Sequence, residues 1–197
     1  VIRVVQAREP LPAAAAPSVF LAGPTAVAGG PVPSWRPAAL ELLGQCWREP
    51  EPLVVLTPEN PVRAARYRDQ FEWENAARAV ATVVLFWIPR DLVHMPGMTT
   101  NVEFGHDVAA GRTVVLGCPP DCPDPRRNRY LIHLGRAYGM PVCATLPDTV
   151  EAAASLAAAS TRLGSSRGRG SVLRCGAGPA GYQPAGPPSP THAPPKS

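Results

Sequence analysis

The sequence predicts a doubly wound α/β domain, and three observations carry that expectation. Short β-branched runs alternate with longer, Ala-rich, helix-compatible stretches. The strand runs are apolar at consecutive positions, as in Thr82-Val83-Val84-Leu85-Phe86-Trp87-Ile88. Such a run suits a strand covered on both faces, hence a parallel sheet with helices on each side; an antiparallel sandwich would alternate instead. Third, the helix-compatible stretches end on stop signals such as Gly111 and Gly139. About five parallel strands with helices on both faces make the fold flavodoxin-like or Rossmann-like.

Each element follows in order. Val1 to Val5 reads as a short strand, but the Ala/Pro stretch up to Pro17 resembles a linker, so residues 1–17 are expected to lie outside the core. Strands are expected at Ser18 to Ala22, Leu53 to Thr57, Thr82 to Ile88, Arg112 to Gly117 and Pro141 to Thr145. Helices are expected at Ser34 to Gln45, Gln70 to Ala81, Thr100 to Ala110, Arg126 to Tyr138 and Thr149 to Leu163. One domain therefore spans 18–163. The remainder, 164–197, is dominated by Gly, Ser, Pro and Arg, with too few large apolar residues to offset the entropy of ordering it, and is expected to be disordered.

Composition narrows the function classes. The net charge of +4 is concentrated in the C-terminal part, at Arg162, Arg167, Arg169, Arg174 and Lys196. A phosphate-tracking surface needs several cations on one ordered face, so nucleic acid is not the expected partner. Cys46, Cys118, Cys122, Cys143 and Cys175 are an odd, scattered set, which fits a reducing, cytoplasmic setting better than a disulfide framework. Cys118 and Cys122 have no second pair at metal-ligand spacing, so no structural zinc is expected. No apolar run approaches the roughly 20 residues that cross a bilayer, and Arg3, Arg8 and Glu9 interrupt any signal-peptide core. A soluble chain with no membrane partner is the expectation.

In such folds ligands sit beyond the carboxyl ends of the strands. The first such turn is Gly23-Pro24-Thr25, where Gly23 lets backbone approach a ligand and Thr25 adds a hydroxyl. It lacks the three glycines of a dinucleotide fingerprint, and no Walker-type Gly-Lys-Ser/Thr follows any strand. After the third of the five strands the chain leads into Asn101-Val102-Glu103-Phe104-Gly105. That places a carboxylate about one turn inside a helix whose N-terminus faces the crevice, where the dipole favours the ionised form a nucleophile needs. The competing reading is that Thr100 and Glu103 form a capping box. On the preceding helix Asp69, Glu72 and Glu74 cluster, and Glu74 stands near the functional edge; its competing reading is an ion pair with Arg78 at i+4.

Together, Val19-Phe20-Leu21-Ala22-Gly23-Pro24, Trp73-Glu74, Val84-Leu85-Phe86-Trp87-Ile88-Pro89 and Thr99-Thr100-Asn101-Val102-Glu103-Phe104-Gly105 resemble the nucleoside 2-deoxyribosyltransferase-like family, over approximately Ser18 to Ala159. The resemblance implies a flavodoxin-like, homo-oligomeric domain that cleaves the N-glycosidic bond of a nucleoside or nucleotide through a covalent glycosyl-glutamate. It implies Glu103 as nucleophile, from the match to the family's Glu-x-Gly motif, and Glu74 as the acid at the base, where the family more often has Asp. Where the family carries a sugar-binding acid before its nucleophile, this chain has Pro96-Gly97-Met98. Thr99, Asn101 and the more distant Asp91 are the candidates for that role. Gly23, Pro24 and Thr25 are candidates for the sugar or a 5′-phosphate. Trp73 or Trp35 would stack on the base, with core packing as the competing reading. No metal or organic cofactor is required. The alternatives are a nucleoside 5′-monophosphate N-glycosidase and a nucleotide-binding sensor without turnover.

Overall fold

Strands that are apolar at every position bury both faces, and the computed structural model, which describes residues 1–12, 16–62 and 64–167, builds its sheet from them. The strands are β1 (Ile2–Gln6), β2 (Ser18–Ala22), β3 (Leu53–Thr57), β4 (Val83–Trp87), β5 (Val114–Gly117) and β6 (Val142–Cys143). The helices are α1 (Arg36–Cys46), α2 (Tyr67–Val80), α3 (Met98–Ala109), α4 (Arg129–Ala137), entered through a 3-10 turn at Pro125–Asn128, and α5 (Leu146–Arg167). All strand pairs are parallel, in the order β1-β3-β2-β4-β5-β6.

Alternate residues of each strand feed two cores. Val19, Leu21, Val55, Leu85 and Trp87 pack under Ala39 and Leu43 of α1 and Val150, Ala153 and Ala157 of α5. Phe20, Ala22, Leu56, Phe86 and Ile88 pack on the opposite face, under Trp73 and Ala77 of α2, Phe104 and Val108 of α3 and Leu131 of α4. The doubly wound expectation holds, with six strands where about five were expected.

The sixth strand is β1, and it corrects the placement of residues 1–17 outside the core. β1 runs beside β3 in register from Ile2 opposite Leu53 to Gln6 opposite Thr57, and Val5 and Ala7 are buried. The sequence shows only a short β-branched run there, because an edge strand buries few side chains. What draws it in is the free hydrogen-bonding edge of β3, which no residue pattern reports. At the other end α5 runs on through Arg167. The rest of the tail expected to be disordered, from 168, lies outside the described residues.

The chain leaves β2 for β3 on one side and then returns to β4 on the other, so the order reverses between β2 and β4. A crevice opens at such a reversal, beyond the carboxyl ends of the two strands. Its walls are the Gly23-Pro24-Thr25 turn and the segment from Pro89 to the start of α3. Among the described residues no helix is long and apolar enough to cross a membrane.

Candidate active site

The turn after β2 is made by close backbone packing. Gly23 has φ +147°, and a Cβ there would lie 2.2 Å from the Trp87 carbonyl oxygen and 2.9 Å from the Trp35 ring. Only glycine lets this turn press on the end of β4. The turn is held from behind by Arg36, a buried guanidinium at the start of α1. Its Nε donates to the Leu21 carbonyl at 3.2 Å, Nη2 to the Gly23 carbonyl at 2.8 Å, and Nη1 to Thr25 Oγ1 at 3.2 Å and Glu59 Oε1 at 2.9 Å. The Trp35 indole N–H donates to the Pro24 carbonyl at 3.1 Å.

A second buried arginine shapes the opposite wall. Arg90, just beyond β4, donates to the carbonyls of Pro96 and Gly97, to Asn101 Oδ1 at 2.6 Å and to Asn128 Oδ1 at 3.0 Å. Gly97, in the left-handed region at φ +58°, is the N-cap of α3. The helix therefore begins ahead of Thr100, which is a buried interior residue, and the capping box is not formed. Without that bond Glu103 faces the crevice.

Glu74 reaches the same crevice from α2. Its Oε1 accepts a 2.7 Å hydrogen bond from Gln70 Nε2, which also donates to the Pro58 carbonyl at 2.8 Å, while Gln70 Oε1 accepts from Arg8. The i+4 ion pair with Arg78 does not form, because Arg78 turns to both oxygens of Asp107 at 3.1 Å. Of the three acids near the start of α2, Asp69 and Glu72 pair with Arg66 and Arg68 on the outside. Only Glu74 turns inward.

Glu74 and Glu103 line one cavity of about 330 Å³, with Gly23, Pro24 and Thr25 on one side and Thr99 on the other. Both carboxyls are pushed above the ordinary carboxylate range by burial. Against that, the Gln70 bond, Arg36 and Arg78 favour the Glu74 anion. Arg78 and Arg36 likewise favour the Glu103 anion, while the charges of Glu74 and Asp107 oppose it. The helix dipole, expected to favour an ionised Glu103, is opposed here by burial. α3 starts at Met98, so Glu103 stands beyond the first turn, where the dipole effect is concentrated, and burial outweighs it.

Four expected site residues lie elsewhere. Trp73 is core: it packs on Phe20 with ring centroids 6.3 Å apart, and its indole N–H donates to the Glu9 carbonyl at 2.8 Å. Asp91 is consumed by its own turn, accepting from the backbone N–H of Val93 and His94 at 2.8 and 2.9 Å and contacting His94 Nδ1 at 2.9 Å. Asn101 accepts from Arg90 and helps anchor the wall. Trp35 is likewise buried beneath the turn. Sequence reasoning missed Arg36, yet a signal exists: Arg36, Ala39 and Leu43 stand at i, i+3 and i+7, one buried face of α1.

A model of the nucleoside 2-deoxyribosyltransferase-like family matches residues 16–122, more than half of the chain. The chain belongs to that family. No curated protein matches it. The family match runs from the approach to β2 to just past β5, and so takes in the Gly23 turn, Glu74 and Glu103. The elements outside the match, β1, α4, β6 and α5, complete the two cores rather than the crevice.

Proposed function

We propose that this nucleoside 2-deoxyribosyltransferase-like protein cleaves the N-glycosidic bond of a nucleoside or nucleotide by double displacement at Glu103. The observation that carries the reading is a pair of carboxylates on neighbouring helices, facing one cavity and both pushed up by burial. A Glu103 oxygen attacks the anomeric carbon, and the bond to the base nitrogen breaks with its electron pair leaving on the base. Glu74, protonated, donates its proton to the departing base, directly or through a water. In the second half, water attacks the anomeric carbon, Glu74 takes its proton, and the sugar leaves Glu103; a second base attacking instead gives transfer. Two coupled carboxyls divide their proton affinities, as one acid and one nucleophile require.

Gly23, Pro24, Thr25 and Thr99 serve the sugar or its 5′-phosphate in this scheme. The volume of about 330 Å³ lies at the lower end of ordinary ligand sites. A further cavity of about 750 Å³ shares Thr25, Pro58 and Glu74 with it and gives the leaving base room. The reaction as written uses no metal or organic cofactor. Tyr67, Phe71, Met98 and Val102 form an exposed apolar face on α2 and α3 beside the two acids, which supports a homo-oligomer with a second copy over it. Four free thiols among the described residues accord with a reducing, cytoplasmic setting.

The test is chromatographic: base release and base exchange on a panel of nucleosides and 5′-monophosphates, with wild type and Glu103→Ala in parallel. Turnover abolished in the variant supports the reading. Activity only on monophosphates with water as acceptor makes the protein a nucleotide N-glycosidase. Ligand binding without turnover by folded wild type overturns the reading in favour of a sensor.

A further inference from the structure

Behind the two acids lies a buried ion pair that the reaction scheme does not use. Asp107 is wholly buried, and Arg78 is 3% exposed. Asp107 accepts from Arg78 Nη1 at 3.1 Å on each oxygen and from Arg112 Nη1, and His106 Nδ1 stands 3.3 Å from Oδ1. Arg78 Nη1 also reaches the Glu103 carbonyl oxygen at 3.4 Å, and Nη2 donates to Asn75 Oδ1. Burying such a pair is seldom better for stability than apolar packing, so its position calls for a reason. That position is ordered. Glu74 and Arg78 are i and i+4 on α2, and Glu103 and Asp107 are i and i+4 on α3, so acids and ion pair stand as successive rungs across one helix seam. Arg78, Glu74 and Glu103 line the same groove between the helices, of about 430 Å³.

We infer that Arg78, anchored by Asp107, is the positioning residue of the carboxylate pair: it supplies the fixed positive charge against which Glu103 ionises, and Asp107 limits that charge so that Glu74 keeps its proton. The assignment rests on the glycosyl-transfer reading of Glu103. Arg78 is the foremost charge favouring the Glu103 anion, and Asp107 opposes it. The other titratable groups around Glu103 are Glu74 on α2, Arg36 on α1 and His106 on its own helix, with Arg112 behind Asp107. A low-dielectric setting makes each of these charges count for more than it would in water. Arg36 is tied to the Gly23 turn, which leaves Arg78 as the cation whose partners lie on the catalytic helices.

The ion-pair partners then have opposite signatures. Removing Arg78 withdraws the cation and moves the Glu103 midpoint up; removing the Asp107 charge leaves Arg78 unopposed and moves it down. A purely structural pair would lower the melting temperature in both variants and move neither midpoint. The experiment is a ¹³C NMR titration of the protein with labelled glutamate side chains, the Glu103 signal being assigned by its loss in Glu103→Gln, on Arg78→Gln and Asp107→Asn. Opposed displacements of about one pH unit or more are expected, mirrored in the acid limb of the kcat profile. Midpoints that stay put, or move the same way, overturn the inference. Where a variant fails to fold, Arg112→Gln, at a partly exposed position, keeps the test open: it frees the Asp107 charge and raises the Glu103 midpoint, and an unmoved midpoint there overturns the inference as well. Opposed midpoints in a chain that cleaves no nucleoside overturn the glycosyl-transfer reading and leave the charge assignment standing.

Discussion

Each of the two carboxyls at the crevice has a folded midpoint above its unfolded one, so between those values the folded state holds a proton that the unfolded state has released. Their contribution to stability is present below the unfolded midpoint and is lost as pH rises through the folded one. At neutral pH, where the unfolded chain has released both protons, the site therefore costs stability, the usual trade at a functional site. Glu103→Gln and Glu74→Gln should melt at or above wild type at pH 7, with the advantage fading in acid, and calorimetry at two pH values checks this. A Glu103→Gln that melts well below wild type at pH 7 contradicts the burial argument. In the base-release assay the same Glu103→Gln should lose about 10³-fold or more in kcat, the scale of removing a nucleophile. Gly23 gives a second residue-scale prediction. Gly23→Ala meets the Trp87 carbonyl in a backbone conformation that alanine rarely adopts, so urea denaturation should show a loss of about 1–3 kcal/mol from strain alone. Both acids were legible in the sequence, Glu103 from its motif and Glu74 from its spacing. Arg36 and Arg78 were not, because an arginine on a helix reads as solvated surface unless its neighbours on the apolar face are examined.

For the helices, what the sequence left open was where they begin. α3 was expected from Thr100, a good capping residue, and instead starts at Met98 behind a left-handed Gly97. The deciding interaction is remote: Arg90 gathers the Pro96 and Gly97 carbonyls and Asn101, and so fixes the approach to the helix. A single sequence does not show which carbonyls a buried guanidinium will find. α2, expected from Gln70, starts earlier, at Tyr67, and so brings Gln70 inside the helix, one turn before the Glu74 it holds. Arg90→Lys tests the role assigned to the wall. An ammonium does not reproduce a planar fork that serves four acceptors, and each buried carbonyl left unpaired costs about 1–3 kcal/mol. The variant should lose stability, and kcat/KM should fall although Arg90 itself does not line the cavity. Unchanged kcat/KM in Arg90→Lys would mean that the wall does not set the geometry of Glu103.

Across the whole molecule, the reversal between β2 and β4 is a property of the assembled strand order, whereas the parallel sheet, with its crevice beyond the carboxyl ends of the strands, was legible in the alternation of apolar runs and helices. The edge strand β1 was not, since its pairing partner, the open side of β3, is a property of the assembled sheet. That strand does more than close an edge. The segment after it carries Glu9, whose carbonyl takes the Trp73 indole N–H, and Arg8, at φ +70°, which binds the Gln70 side chain that in turn holds Glu74. Edge and acid are thus joined by one chain of side chains, and two variants separate the parts. A chain lacking residues 1–6 loses the β1 ladder and the burial of Val5, and should be less stable, with a lower thermal midpoint. Arg8→Ala keeps the ladder and frees the Gln70 amide to turn, so the bond that favours the Glu74 anion weakens and the Glu74 midpoint rises further. Its melting temperature should stay near that of wild type while the basic limb of the kcat profile moves to higher pH, because Glu74 acts in its protonated form. An Arg8→Ala profile that superimposes on wild type would confine β1 and its following turn to holding the sheet together.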